Sequence, residues 1–272
     1  YNFSVIKNKM TELNGVDYIG LSSSELHGRN FDQETSRSAV GQPIGSFFVY
    51  EADGLFQSDA EIQNYKNDRG ELLQPNAKPG DIRFKDLNGD GVINSDDRDF
   101  KGNPLPDCSM GLTLGFNYKN FDVSAFFQGV FGNEVYNLTN YLGEFYNQAQ
   151  YNKNSTWRPD NTDTDIPRVT LDDPNNNIRP STYYIHNASF VRLKNLKVGY
   201  TLPDKVASKL KLKRTYIYLQ GQNLFTITGY EGIDPEDGLQ SYSSENRSLD
   251  MGVDRGVYPL PRTFTLGVNV SF

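Results

Sequence analysis

The sequence predicts an all-β protein, more narrowly a segment of a transmembrane antiparallel β-barrel with long extracellular loops. Three observations predict it. The closing TFTLGVNVSF places Phe264, Leu266, Val268, Val270 and Phe272 on one face and Thr263, Thr265, Gly267, Asn269 and Ser271 on the other, the period of two that belongs to a strand. Its length matches the roughly 9–11 residues that cross a bilayer as a tilted strand, and it stops on an aromatic. Finally, the joins between such arms alternate between short and long, as the two sides of an outer-membrane barrel require.

Taken in order, YNFSVIKNK and GVDYIGLSS are expected to pair around Asn14-Gly15, making residues 1–23 barrel strands. Residues 24–107 then form one long extracellular region, with small hairpins of its own around VGQPIGSFFVYEADGLF. The C-terminal barrel section, 108–272, opens with SMGLTLGFNYKNFDVSAFFQGVFG, a hairpin turning at Lys119-Asn120. Met110, Leu112, Leu114, Phe116 and Tyr118 line one face of its first arm; Phe121, Val123, Ala125, Phe127 and Phe131 line the second. The next arms are SFVRLKNLKVGYTLP and RTYIYLQGQNLFTIT, joined by a short charged connection that allows a helical turn. Stretches 132–187 and 229–260 are long, polar and rich in Asn, Asp, Gly and Pro. Counting back from the last strand, every short join falls on one side of the membrane and every long one on the other. Seven crossing strands in all cannot close an even-numbered barrel, so the chain is expected to be a piece of a longer protein, a reading its opening in mid-strand supports.

Composition excludes other classes. A net charge of -7 over 272 residues disfavours a nucleic-acid partner. The single cysteine, Cys108, rules out an internal disulfide or a thiolate metal cluster. No apolar run reaches the roughly 18 residues of a membrane-spanning helix. His27 and His186 lie far apart with no evident partner, and no nucleophile–base constellation suggests an enzyme.

Several landmarks resemble the SusC/RagA family of TonB-dependent transporters: VGQPIGSFFVYEADGLFQSDAEI, PGDIRFKDLNGDGVINSDDRDFKGNPLPD, FDVSAFFQGVFGNEVYN, WRPDNTDTDIPR, SFVRLKNLKVGYTLP, LQGQNLFTITGYEGIDPE and PLPRTFTLGVNVSF. They occur in the family's order along nearly the whole chain. The resemblance implies the C-terminal part of a plugged barrel of about 22 strands. It also implies import of oligosaccharide or peptide, a SusD-like surface lipoprotein as lid, the remainder of the barrel with its plug, the TonB complex, and a bacterial outer-membrane location in contact with lipid.

Candidate site residues are of two kinds. DLNGDGVINSDD, Asp86 to Asp97, has the spacing of an EF-hand loop with Asp in place of the final Glu. Asp86, Asn88, Asp90, Asn94 and Asp97 would offer side-chain oxygens and Val92 its carbonyl to Ca²⁺ or Mg²⁺. Without flanking helices the loop is not a sensor; the alternative is an Asx-rich turn that satisfies its own backbone. Trp157, Tyr141, Tyr146 and Tyr151 could stack on sugar rings, as could Tyr183 and Tyr184, while Trp157 could equally pack within its loop. Arg192, Lys194, Lys197 and Arg214 are expected at strand ends or facing a watery interior, since on the lipid face such charges cost roughly 2–4 kcal/mol at mid-depth. Two rival readings are a soluble Ca²⁺-stabilised carbohydrate-binding β-sandwich and a passive porin or adhesin barrel.

Overall fold

The structure is a computed structural model describing residues 1–21, 34–139, 155–170, 172–209, 211–236, 251–256 and 258–271. Its strands are β1 (Asn2–Val5), β2 (Tyr18–Leu21), β3 (Ser36–Ala39), β4 (Ser46–Tyr50), β5 (Ala52–Leu55), β6 (Ile82–Phe84), β7 (Arg98–Phe100) and β8 (Cys108–Tyr118). They continue with β9 (Phe121–Phe131), β10 (Glu134–Asn137), β11 (Ile185–Asn187), β12 (Phe190–Thr201), β13 (Arg214–Thr228), β14 (Val253–Asp254) and β15 (Thr263–Ser271). Two short helices, α1 (Asp59–Asn64) and α2 (Asp204–Lys209), complete the set used below. Among the described residues no helix is long and apolar enough to cross a membrane, which says nothing about strands.

Six strands form one antiparallel wall in the order β1-β8-β9-β12-β13-β15. Its register sorts side chains into rows. Phe116, Val123, Val198, Leu219 and Leu266 stand opposite one another, as do Leu114, Ala125, Leu196, Gly221 and Phe264. The rows between them are polar or small: Gly115, Ser124, Lys197, Gln220, Thr265, and Asn117, Asp122, Gly199, Tyr218, Gly267. A slip of one residue would exchange the faces, so the pattern fixes the register. The apolar face is bare: Leu266 is 72 % exposed, Phe264 69 % and Phe116 64 %. Among the described residues no second sheet covers it. An uncovered apolar surface of this size needs a non-aqueous neighbour, which makes it the lipid face of a barrel wall left open at β1 and β15.

The short joins hold as expected. Lys119 takes a positive φ of 54° in the β8–β9 turn, and α2 occupies the charged connection between β12 and β13. The N-terminal strands differ from expectation. β1 pairs with β8, whereas β2 leaves the wall and pairs with β3 in a separate sheet, β2-β3-β4-β7. The described wall therefore has six strands rather than seven, and only Asn2–Val5 of the expected 1–23 barrel segment lies in it. Asn14 and Gly15 do form a turn, with φ of 49° and 90°, but it redirects the chain within the outer region. Alternation marks a strand without naming its partner.

The outer region has its own cores. Phe47, Val49, Tyr136, Leu138, Tyr184 and Val253 form one; Tyr50, Leu55, Ile82, Phe84 and Trp157 form another. The hairpin expected within 40–56 takes another form: β4 pairs with β3 and β7, and β5 with β6.

Candidate functional site: the inner wall and its outer loops

The acidic loop 86–97 closes on its own backbone. Asp86 accepts from the N–H groups of Gly89 and Gly91, both at 2.8 Å. Asn88 accepts from Asp90 N–H, Asp90 from Val92 N–H and Asn94 from Asp96 N–H, the two-residue reach of an Asx turn. The Asp90 carboxyl is held below its usual range by the Val92 N–H and then by the Asn88 amide. Asp97 is fully buried and accepts from Leu87 N–H at 2.8 Å, Asn88 N–H at 3.4 Å and Asn94 N–H at 2.7 Å. Gly91 sits at φ +89°, where a side chain would be strained. Among the described residues no three His, Cys, Asp or Glu side chains gather to hold a metal ion. For Ca²⁺ or Mg²⁺, Asp86, Asp90 and Asp97 would have to converge more closely than they do here.

Trp157 is 6 % exposed, packed in the core with Tyr50, Leu55, Ile82 and Phe84. Its Nε1–H donates to Gln57 Oε1 at 2.8 Å. Of its two expected roles, this placement supports packing; no open ring face is left for a sugar. Tyr184 is fully buried and stacks edge-on with Tyr183. Tyr141, Tyr146, Tyr151 and His27 lie outside the described residues. His186 packs edge-on against Tyr230, and burial lowers its pKa against the pull of Glu231 and Asp165.

Two polar networks were not foreseen. The first joins segments about a hundred residues apart. Buried Asp81 accepts from Arg168 Nε at 2.7 Å and from Asn177 Nδ2 at 2.9 Å, while Asn175, Asn177 and Gln74 bond the backbone of β6 as a missing strand would. The second lies on the polar face of the wall. Arg192 on β12 is 3 % exposed and donates to Asp234 Oδ1 at 2.5 Å, Glu236 Oε2 at 2.8 Å and Thr226 Oγ1 at 2.8 Å. Lys194 donates to both oxygens of Glu236, at 2.7 and 2.6 Å. The register shifts between Leu193 and Asn195, and this bulge re-aims Lys194 to the polar side. Sequence expectation had these cations at strand ends or facing a watery interior. The missing signal was the acidic pair in GYEGIDPE, whose partners lie 42 and 44 residues back.

Lower on the same face, Tyr216 and Tyr218 stack with ring centroids 5.7 Å apart, and Lys197 Nζ lies 4.9 and 4.7 Å from them. Tyr216 donates to Asp122 Oδ2 at 2.8 Å. Among the described residues the inner face is therefore lined by hydroxyls, amides and paired charges, groups able to hydrogen-bond a polar solute.

No family model matches the chain. It is 37 % identical over its whole length to TonB-dependent receptor P3 of Formosa agariphila, spanning 26 % of that protein. It is 35 % identical to TonB-dependent receptor P26 of the same organism, over 98 % of the chain and 26 % of the relative. Against TonB-dependent receptor SusC of Bacteroides thetaiotaomicron it is 29 % identical over its full length, again about a quarter (24 %) of the relative. The fold superposes on the RagAB peptide importer in its open-open state with a TM-score of 0.68 at 22 % identity, covering 99 % of this chain and 26 % of that one. The chain thus spans only about a quarter of its relatives' length, and over that span its sequence is similar to TonB-dependent receptors, SusC among them, and its fold to the RagAB importer: its bare apolar wall matches a segment of such a β-barrel.

Proposed function

We propose that the chain forms part of the wall and mouth of a TonB-dependent importer that carries oligomeric nutrients, glycan or peptide, across the bacterial outer membrane, with a SusD-like lipoprotein as lid. The observation that carries this reading is the six-stranded wall, apolar and bare on one face and polar on the other, in a chain whose relatives are named TonB-dependent receptors. Among the described residues the long connections leave the wall at one end, where their small sheets and cores offer a surface fit to meet a solute and a lid.

A soluble sandwich does not fit a wall with Leu266 at 72 % and Ile227 at 66 % exposure, which would aggregate in water. A passive porin or adhesin shares the wall and differs in needing no energy. The test uses the full-length receptor, tagged and expressed in its own host. It should extract from outer membranes only with detergent, bring a surface lipoprotein with it, and support uptake of oligosaccharide or peptide pools that stops when the TonB complex is deleted. Uptake that persists without TonB would establish the passive channel; recovery of the receptor in the aqueous fraction would overturn the membrane reading altogether.

A further inference from the structure

Beyond Thr228 the chain first packs into the outer region and then turns back over the wall. Tyr230 is 6 % exposed and packs with Val135 and Ala188. Its hydroxyl donates at 2.6 Å to buried Asp254. Asp234, 5 % exposed, is bound by Arg192, by its own turn through Glu236 N–H at 3.0 Å, and by Leu260 N–H at 3.3 Å. Both legs of the β13–β15 connection are therefore fastened here, the outgoing one through Tyr230 and Asp234, the returning one through Asp254 and Leu260.

The side of the wall is fixed by register. Arg192 stands opposite Thr226 and Gln128, in a polar row, while Val191 opposite Ile227 and Leu193 opposite Phe225 belong to the apolar face. The strap therefore lies against the inside of the barrel. Arg192 and Lys194 sit two and four residues below the rim at Phe190, roughly 7–13 Å along the strand at about 3.3 Å per residue, and their side chains hold the strap over the top of the inner wall.

We propose that residues 232–236 are a fixed inner collar that limits the size of solute passing the barrel mouth, and that Arg192 and Lys194 are the positioning residues that hold it. This rests on the transport reading. The collar is narrowing by construction: it occupies lumen that a loop directed outward would leave free. Its anchor is a buried pair at Arg192 backed by a partly buried pair at Lys194, so the two can be weakened separately.

The test uses the full-length receptor in outer-membrane vesicles, in a cysteine-free background with Gln128→Cys as reporter on the inner wall level with Arg192. A small maleimide and a bulky polyethylene-glycol maleimide are added from outside. With the native collar the small reagent reacts and the bulky one is slow. Lys194→Gln, chosen because it leaves the buried pair intact, should speed the bulky reagent by about tenfold without changing the small one; Asp234→Asn should speed it further, and Lys194→Arg should restore the native rate. Heat-modified migration of the folded barrel checks assembly. Equal bulky-reagent rates in all four proteins would overturn the collar while leaving the transport reading intact, because labelling requires no uptake.

Discussion

Gly80 and Trp157 are packed so closely that a methyl group on Gly80 would overlap the indole ring. Gly80 sits at φ +88°, a conformation that costs other residues about 1–2 kcal/mol, and its N–H and C=O bond Phe56 and Arg168. Gly80→Ala is thus expected to destabilise the outer region by about 3 kcal/mol, strain and overpacking together. Protease resistance of the outer loops, measured on the detergent-solubilised receptor, should fall while the barrel stays folded. Unchanged resistance would mean that Trp157 has room to move.

Asp97 is the hub of the acidic loop. Asp97→Ala would leave three N–H groups without their acceptor in a buried site, an expected cost of about 2–3 kcal/mol. Asp90→Ala, at the exposed rim, should cost far less. Because the loop's oxygens already bond its own backbone, chelation is expected to leave the loop's proteolysis rate unchanged, and millimolar Ca²⁺ should add little. A marked slowing by Ca²⁺ that Asp86→Asn abolishes would show that the three carboxylates do converge on an ion.

The wall was legible in the sequence because lipid on one side and water on the other impose a period of two on β8, β9, β13 and β15 and on β12 either side of its bulge. Arms, turns and loop sorting followed from that period alone. The outer region was not legible in the same way. Its strands are two to five residues long, too short for a period to name partners, so β2 was assigned to the wall when it pairs with β3. The EF-hand spacing was visible, yet the same Asp and Asn side chains that bind metal also close Asx turns, and spacing does not separate the two. For Arg192 and Lys194 the sequence left strand ends and the watery side both open, and their bulge and acidic partners depend on how the chain after Thr228 folds back.

His186 should make the outer region acid-sensitive. Burial lowers its pKa, Glu231 and Asp165 opposing, so the fold favours the neutral ring. A group shifted down in this way contributes stability that is full above its unfolded pKa of about 6.5 and lost as pH falls through the lower folded value. Glu134 is shifted the other way, raised by burial against the Asn103 N–H; its contribution is full below about 4.3 and lost as pH rises through the higher folded value. Proteolysis of the outer loops is therefore expected to quicken below about pH 6, with His186→Phe flattening that limb and Glu134→Gln flattening the limb above the carboxylate range. An acid limb that survives His186→Phe would assign it to other groups.

The lower inner wall depends on two glycines that look interchangeable with a third. A side chain on Gly199 would meet the Tyr216 hydroxyl and Asp122, and one on Gly267 would meet the Tyr218 ring, whereas Gly115 on the same face has open space around it. β-Branched residues favour strands, so Gly115→Val should be neutral or slightly stabilising. Gly199→Val must displace Tyr216 from its bond to Asp122, and Gly267→Val must lift Tyr218 away from the wall and from Lys197, each at about 1–3 kcal/mol. The temperature at which the detergent-solubilised barrel loses its folded migration should fall for Gly199→Val and Gly267→Val but not for Gly115→Val. If all three behaved alike, the tyrosine rings would be free to swing into the lumen, and the stacked pair beside Lys197 would be a movable lining rather than part of the wall.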